Sequence, residues 1–364
     1  MTPAQRILAS VRNTPPAPPP IAPPPPATPP TDAIDAAKQR LAPGVPLESW
    51  LRSADSPPPA MYLAPSTVTV SGASFTDAHP RVPFSDATYD PCGDDLPRLP
   101  TVWVGLAAGW PSLRSGWNAP VLAARCAPGE LFAVDGGPGF ARNALHAASV
   151  PMAAYAAYAA EEGAARGDVA PLYIFDAQLS TRRFADGAPF SAEFSVPACL
   201  SHDEMAKRGG ADTAAARPLP ARWLLVGAAG SGTPIHNHPL TAAWNTLLCG
   251  VKLWVVLPPN APPEALLLGD ACPAEGDEDL SAAAWVRHWG GALPAGAQVI
   301  VQRAGETVFL PAAWWHVVLN VASSTAVSSS VYLRRDWEEL GAAAVERGEC
   351  EGFARVFRAE AARA

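Results

Sequence analysis

The rhythm of apolar and polar positions changes twice along this chain. Residues 15–30 are nearly all proline and alanine. Proline lacks the amide hydrogen and fixes φ, so this run is excluded from helices and central strands and is expected to be a stiff polyproline-II spacer. Residues 31–95 stay rich in Pro, Ser, Ala and Asp, with one short helical pattern near Asp32–Leu41. Residues 1–95 therefore read as a largely irregular N-terminal region. Folded patterning starts near Leu99. Thr101–Leu106 (TVWVGL) reads as a buried strand, followed by a segment at Ala127–Ala133. Val150–Glu162 places Met152, Tyr155 and Tyr158 at helical spacing and predicts a helix with a core-facing tyrosine stripe. Leu172–Asp176 (LYIFD) is a β-rich apolar run.

After Arg222 the period becomes that of strands. Trp223–Gly227, Trp244–Leu248, Lys252–Leu257, Gln298–Gln302, Thr307–Leu310, Trp315–Val321 and Ala326–Leu333 are short and rich in Val, Leu, Trp and Thr, with Gly and Pro turns between them. Many short strands without intervening helices imply a mainly β sandwich or barrel. Pro259–Pro294, acidic at Glu275–Asp279, reads as an insertion, and the Ala-, Glu- and Arg-rich stretch from Asp336 as a C-terminal helix. The chain divides into 1–95, a folded domain over 96–335, and a helix over 336–364.

Composition narrows the classes. Of 364 residues 49% are apolar, enough for a sizeable core. No run of 18 apolar residues occurs, so no membrane association is expected. A formal charge of −8 argues against direct binding to nucleic-acid phosphates and suits a basic, chromatin- or RNA-associated protein partner. Cys92, Cys126, Cys199, Cys249, Cys272 and Cys350 are dispersed with no C-x-x-C pair, as in reduced proteins of the nucleus or cytoplasm. Arg6 and Arg12 precede the first acidic residue, Asp32, which is also the pattern of an organelle transit peptide.

The candidate chemistry lies in His236-Asn237-His238. On a strand, residues i and i+2 share a face, so both imidazoles can converge on one ion while Asn237 points away. His316, in PAAWWHVVLN, is the best third ligand. His79 falls in the irregular region, and His146, His202 and His288 stand in polar or helical contexts. Three histidines with an open position also describe a catalytic zinc site.

The flanking residues add a resemblance. Residues 222–258 (RWLLVGAAGSGTPIHNHPLTAAWNTLLCGVKLWVVLP) and 304–320 (AGETVFLPAAWWHVVLN) resemble the two metal-ligand segments of the JmjC family, and PLYIFD at 171–176 is similar too. The likeness spans roughly residues 100–335. It implies a double-stranded β-helix of the jelly-roll or cupin type with flanking helices. It also implies an Fe(II)- and 2-oxoglutarate-dependent oxygenase acting on a protein side chain, by lysyl hydroxylation or by demethylation of methyl-arginine or methyl-lysine. The family's facial triad is two His and one carboxylate. His236 and His316 match the two histidines, and Lys252 matches the lysine that pairs with the distal carboxylate of 2-oxoglutarate. Thr233, Asn245 and Ser328 match polar positions of the cosubstrate cradle, Ser328 standing where threonine is usual. Trp244, Trp314 and Trp315 read as core packing.

One position departs. The family's carboxylate, two residues after the first His, is His238 here, and the following PLTAAWN is one residue short. Three imidazoles still suit Fe(II), Zn(II) or Ni(II). Three readings stay open: an oxygenase tolerant of a three-His site, a catalytically impaired JmjC-fold binding module, and a zinc enzyme of another class. A homodimer through the C-terminal helix is a further expectation.

Overall fold

The structure, a computed structural model, describes residues 30–51, 61–64, 66–136, 148–160, 164–209, 222–266, 281–290, 292–348 and 351–361. The proline tract before residue 30 and the acidic run Glu275–Asp279 lie outside these residues.

Among the described residues fourteen strands follow in chain order: β1 (Met61–Leu63), β2 (Thr67–Val70), β3 (Ala73–Thr76), β4 (Arg81–Pro83), β5 (Thr101–Val104), β6 (Leu131–Asp135), β7 (Ala148–Pro151), β8 (Tyr173–Asp176), β9 (Arg222–Gly227), β10 (Gly232–His236), β11 (Ala242–Leu257), β12 (Gln298–Arg303), β13 (Glu306–Leu310) and β14 (Trp315–Val331). The helices used below are α1 (Pro30–Leu41), α2 (Ala119–Arg125), α3 (Met152–Ala159), α4 (Ala282–Trp289), α5 (Arg334–Glu346) and α6 (Glu351–Ala361).

Two long strands organise the domain. β11 and β14 pair antiparallel from Ala242↔Val331 to Leu257↔Trp315. The first part of β11 also pairs β13, and its last part pairs β12. β14 does the converse: its start pairs β10 and its end pairs β9. One half is thus β4-β5-β13-β11-β14-β9-β8-β6-β7, and the other is β12-β11-β14-β10. The two halves form a double-stranded β-helix. The segments read from sequence as Trp244–Leu248 and Lys252–Leu257 are one strand, as are Trp315–Val321 and Ala326–Leu333. The bend in β11 falls where the register with β14 slips, between Leu247 and Lys252. Gly250 sits there at φ 84°, and a Cβ on it would lie 2.3 Å from the Ser323 carbonyl oxygen. Only glycine meets both conditions without strain.

The core is layered about these halves. Outside the larger half, Leu224, Val226, Trp244, Leu248, Phe309 and Val327 pack under the helical layer that contains α1, α2 and α3. Outside the smaller half, Leu253, Val255, Val317 and Leu319 pack against α4 and Phe75 of the β1–β3 sheet. Between the halves lie Val102, Trp254, Val256, Ile300, Val308 and Val318 at one end, and Tyr173, Trp223, Leu225 and Ala326 at the other. Alternation along each strand separates these inner and outer sets.

Several boundaries differ from expectation. The described residues between 30 and 95 are not an irregular tail. Ile34, Ala37 and Leu41 of α1 and Trp50 are buried in the main core. Lys38 Nζ reaches Asp168 Oδ1 at 2.8 Å, with both side chains buried. β1–β3 form their own sheet, and β4 adds in parallel to β5. Val68, Val70 and Phe75 are likewise buried, in the cluster with Leu253 and Val317, and average composition does not register such sparse anchors. The predicted helix at Val150–Glu162 begins only at Met152, because Ala148–Pro151 pairs with β6. The stretch between Pro259 and Pro294 contains α4, capped by Ser281, whose hydroxyl accepts from the Ala284 amide at 3.2 Å. The C-terminal stretch is two helices. Trp337 of α5 and Phe353 and Val356 of α6 pack together with Tyr332, Met205 and Leu240, so this apolar face is covered by the chain itself. Among the described residues no helix is long and apolar enough to cross a membrane.

Candidate metal centre and cosubstrate cradle

The histidines converge because two strands meet in register. β10 lies beside the start of β14, and His236 is directly opposite His316. The register of this pair shifts between Thr233 and His236. One ligand nitrogen from each of His236, His238 and His316 lies within 4.8 Å of the others, and no Asp, Glu or Cys joins this group among the described residues. The ring centroids are 4.0 Å apart for His236–His316, 5.2 Å for His236–His238 and 5.4 Å for His238–His316.

Hydrogen bonds prepare two of the rings to ligate. His236 Nδ1 donates to the Pro234 carbonyl at 2.7 Å, and His316 Nδ1 to the Trp314 carbonyl at 3.2 Å. A proton held on Nδ1 leaves the Nε2 lone pair free for a metal. Burial holds all three rings neutral. It lowers the pKa of His236. It takes His238 down to about 3, with help from neighbouring His236, and pushes His316 well below the ordinary value. His236 and His238 are only half-buried by surface exposure while His316 is buried. That difference is what a recess reachable from solvent gives. Trp254 stacks beside His316 at 5.9 Å, and its indole N–H is fixed by Gln302 Oε1 at 2.9 Å. The loop bearing His238 is tied to the loop before His316: the Ala313 amide donates to the His238 carbonyl at 2.8 Å, and Asn237 Nδ2 to the Ala313 carbonyl at 3.4 Å.

The predicted cradle lies on the same inner surface. Directly opposed residues of an antiparallel pair share a face. Lys252 opposes Asn320, Trp254 opposes Val318 and Val256 opposes His316, so Lys252 and His316 face one interior. Thr233 opposes Val318 from the other side. Asn245 opposes both Ser328 and Val308. Ser328 Oγ donates to the Trp244 carbonyl at 2.9 Å. Trp244 and Trp315 are core residues on the outer faces, as expected.

Lys252 is fully buried, and its partners are neutral. Nζ donates to Tyr173 Oη and to Asn320 Oδ1, both at 2.8 Å. Burial lowers its pKa to about 7. A buried ammonium without a carboxylate is costly. A dianion such as 2-oxoglutarate would supply the missing charge. Among the described residues Asn245 Oδ1 is buried without a hydrogen-bond partner, and a bound molecule could satisfy it. Three imidazole donors, an unneutralised lysine and an orphaned amide oxygen together fit a metal with an anionic chelator.

Tyr173 and Asn320 were missed by sequence reasoning. Asn320 is the hub: Ser324 Oγ donates to its Oδ1 at 2.6 Å, and its Nδ2 donates to Ser231 Oγ at 2.8 Å. A Cβ on Gly227 would lie 2.0 Å from that Nδ2, so glycine is required there. The signal for Asn320 is its spacing. It stands four residues after His316 on one strand, hence on the same face, as a polar residue in an apolar run. Tyr173 is flagged by the same alternation in YIFD, which puts residues 173 and 175 on one face.

Comparison with known proteins agrees with this geometry. The family described as JmjC domain, hydroxylase matches residues 223–331. The bifunctional arginine demethylase and lysyl-hydroxylase psr-1 of Caenorhabditis briggsae is 32% identical over 268 residues, 69% of this chain and 61% of that protein. The lysine-specific demethylase JMJ21 of Arabidopsis thaliana is 30% identical over 64% of this chain and 23% of its own length. The 2-oxoglutarate and iron-dependent oxygenase JMJD4 homolog of Drosophila melanogaster is 31% identical over 29% of this chain and 23% of its own. The chain thus spans about three-fifths of psr-1 and less of the other two. With the fold and the converging histidines, residues 223–331 of this chain are a JmjC domain.

Proposed function

We propose that this chain is an Fe(II)- and 2-oxoglutarate-dependent oxygenase acting on a side chain of a protein substrate, by lysyl hydroxylation or by demethylation of methyl-arginine or methyl-lysine. One observation carries the reading: the three-histidine group and the uncompensated Lys252 share one interior face. His236, His238 and His316 would hold the metal. Lys252, with Tyr173 beside it, would hold the distal carboxylate of 2-oxoglutarate, and Asn245, Thr233 and Ser328 would line its path. When bound, iron and 2-oxoglutarate supply oxygen activation, with succinate and carbon dioxide as co-products. The protein's part is to orient the cosubstrate, to keep three imidazoles unprotonated, and to exclude water with the apolar wall of Trp254, Val256 and Val318.

The names of the relatives favour a protein substrate. A nuclear or cytoplasmic location and a basic partner are consistent with the composition. A dimer through the C-terminal helices would have to use their outer faces and is tested by light scattering.

The test is conversion of 2-oxoglutarate to succinate by the iron-loaded chain, with metal content measured alongside. Wild type is expected to turn over slowly and His238→Asp faster, because the variant restores the family's charge at the same sequence position, on the loop after β10. Lys252→Ala is expected to weaken 2-oxoglutarate binding by about 3–5 kcal/mol, the range for breaking a buried charge pair. If neither wild type nor His238→Asp consumes 2-oxoglutarate, and Lys252→Ala leaves its binding unchanged, the chain is a JmjC-fold binding module instead.

A further inference from the structure

The charge of the recess differs from that of a carboxylate-bearing centre. His236, His238 and His316 are neutral donors, and among the described residues no carboxylate joins them. Lys252, the ionisable group that shares their face, adds no negative charge. The carboxylates on neighbouring strands are held elsewhere: Glu306 pairs with Arg81. Asp135 opposes Tyr173 on β6, and β8 and β9 separate it from β14. Asp176 is engaged by Arg182. A divalent ion on the three imidazoles therefore keeps its full charge, which any electrostatic account of the site has to include. Trp254, Val256 and Val318 form an apolar wall beside His316, where that charge is weakly screened.

We propose that the metal-loaded centre takes a small monoanion as a further metal ligand, supplying the negative charge that a carboxylate at position 238 would otherwise provide. The inference rests on the metal-binding part of the oxygenase reading and not on turnover. An aspartate at position 238 would repel such an anion. Two like unit charges about 4 Å apart at an effective dielectric of about 20 correspond to roughly a thousandfold in affinity. Solvent in the mouth of the recess reduces this, and a loss of at least about tenfold is expected.

The experiment loads the full chain with Co(II) and follows its visible absorption during titration with sodium chloride or sodium acetate at constant ionic strength. Wild type should show a saturable change. His238→Gln, which is neutral, should keep it, and His238→Asp should lose at least about tenfold in affinity. A response to chloride alone identifies an inorganic ion as the ligand; a response to acetate alone identifies a carboxylate, such as an acidic side chain would present. Either supports the inference. The absence of a saturable change in metal-loaded wild type overturns it, as does equal affinity in wild type and His238→Asp at equal cobalt content. Should His238→Asp fail to hold cobalt, the wild-type and His238→Gln titrations decide: loss of the response in His238→Gln at wild-type cobalt content would refute a charge origin, and where His238→Gln also fails to hold cobalt the wild-type titration alone decides. Calorimetry with 2-oxoglutarate on the same samples separates the two readings. An anion response without 2-oxoglutarate binding removes the oxygenase reading and leaves this inference standing, and the reverse result does the opposite.

Discussion

Lys252→Met should stabilise the metal-free fold at low pH and abolish that advantage at high pH. Lys252 is fully buried, and its partners, Tyr173 and Asn320, are neutral. Burial takes its pKa from 10.5 to about 7. In the unfolded chain it titrates near the ordinary value. Below pH 7 both states carry the proton, so the whole cost of burying the charge is present. At about 1.4 kcal/mol per pH unit this approaches roughly 5 kcal/mol as an upper value. Between pH 7 and 10.5 the folded lysine has lost its proton and the unfolded one has kept it. The unfolded state then binds more protons, so stability rises with pH across that window. Methionine removes the penalty at similar length. It also removes a hydrogen-bond partner of Tyr173 Oη, at a cost of about 1–3 kcal/mol, while Asn320 Oδ1 keeps Ser324. The variant should therefore be more stable than wild type by roughly 2–4 kcal/mol at pH 6, and equal or less stable at pH 10. Urea unfolding of both proteins at pH 6, 8 and 10 measures the difference, in which other titrating groups cancel. Parallel pH profiles would refute the argument, because they would mean that Lys252 is paired or hydrated in the free protein. The same variant should fail to bind 2-oxoglutarate, linking a gain in stability to a loss of function at one residue.

Two further outcomes follow from the fold. Lys38→Ala removes one side of the buried pair with Asp168, whose other oxygen accepts from Tyr158 Oη at 2.5 Å; it should cost about 3–5 kcal/mol and expose α1 to limited proteolysis, and a loss below about 1 kcal/mol would show that α1 is not anchored there. Ala313 adopts φ 67°, left-handed backbone that favours glycine, so Ala313→Gly should stabilise the chain by about 1 kcal/mol in urea unfolding, and destabilisation would show that the strain has been misplaced.

The fold was legible where the pattern was dense. Strand signals after Arg222 predicted nearly every strand of the β-helix, because alternation in β9, β11 and β14 reflects a real division between inner and outer faces. The continuity of β11 was hidden by Gly250, a turn signal that in the fold is a bend within one strand. The N-terminal elements were hidden for a different reason. Ile34, Leu41, Trp50 and Phe75 are anchors spaced far apart, and a Pro-rich background masks them. At the candidate site, the motif neighbours make His236, His238, His316, Lys252, Asn245, Thr233 and Ser328 legible as a group, and strand register sets His316 and Lys252 on one interior face. Tyr173 and Asn320 both bond to Lys252, and Tyr173 lies far from the histidines in the linear chain, so no spacing relative to them announces both.

The backbone around the three histidines is held independently of the side chain at position 238, and this gives the substitutions there their meaning. Before it, His236 is fixed opposite His316 by strand pairing. At it, the His238 carbonyl accepts from the Ala313 amide, a contact that no change of side chain removes. After it, Leu240 is buried among Tyr332, Trp337 and Phe353, under the C-terminal helices. The strand end is therefore clamped on both sides by contacts from distant parts of the sequence. Replacing imidazole with carboxylate or amide on such a frame alters charge and donor type while the Cα stays in place. Differences among wild type, His238→Asp and His238→Gln then report the electrostatics of the centre rather than its collapse. The C-terminal helices, remote in sequence from the chemistry, are part of the reason the comparison can be made.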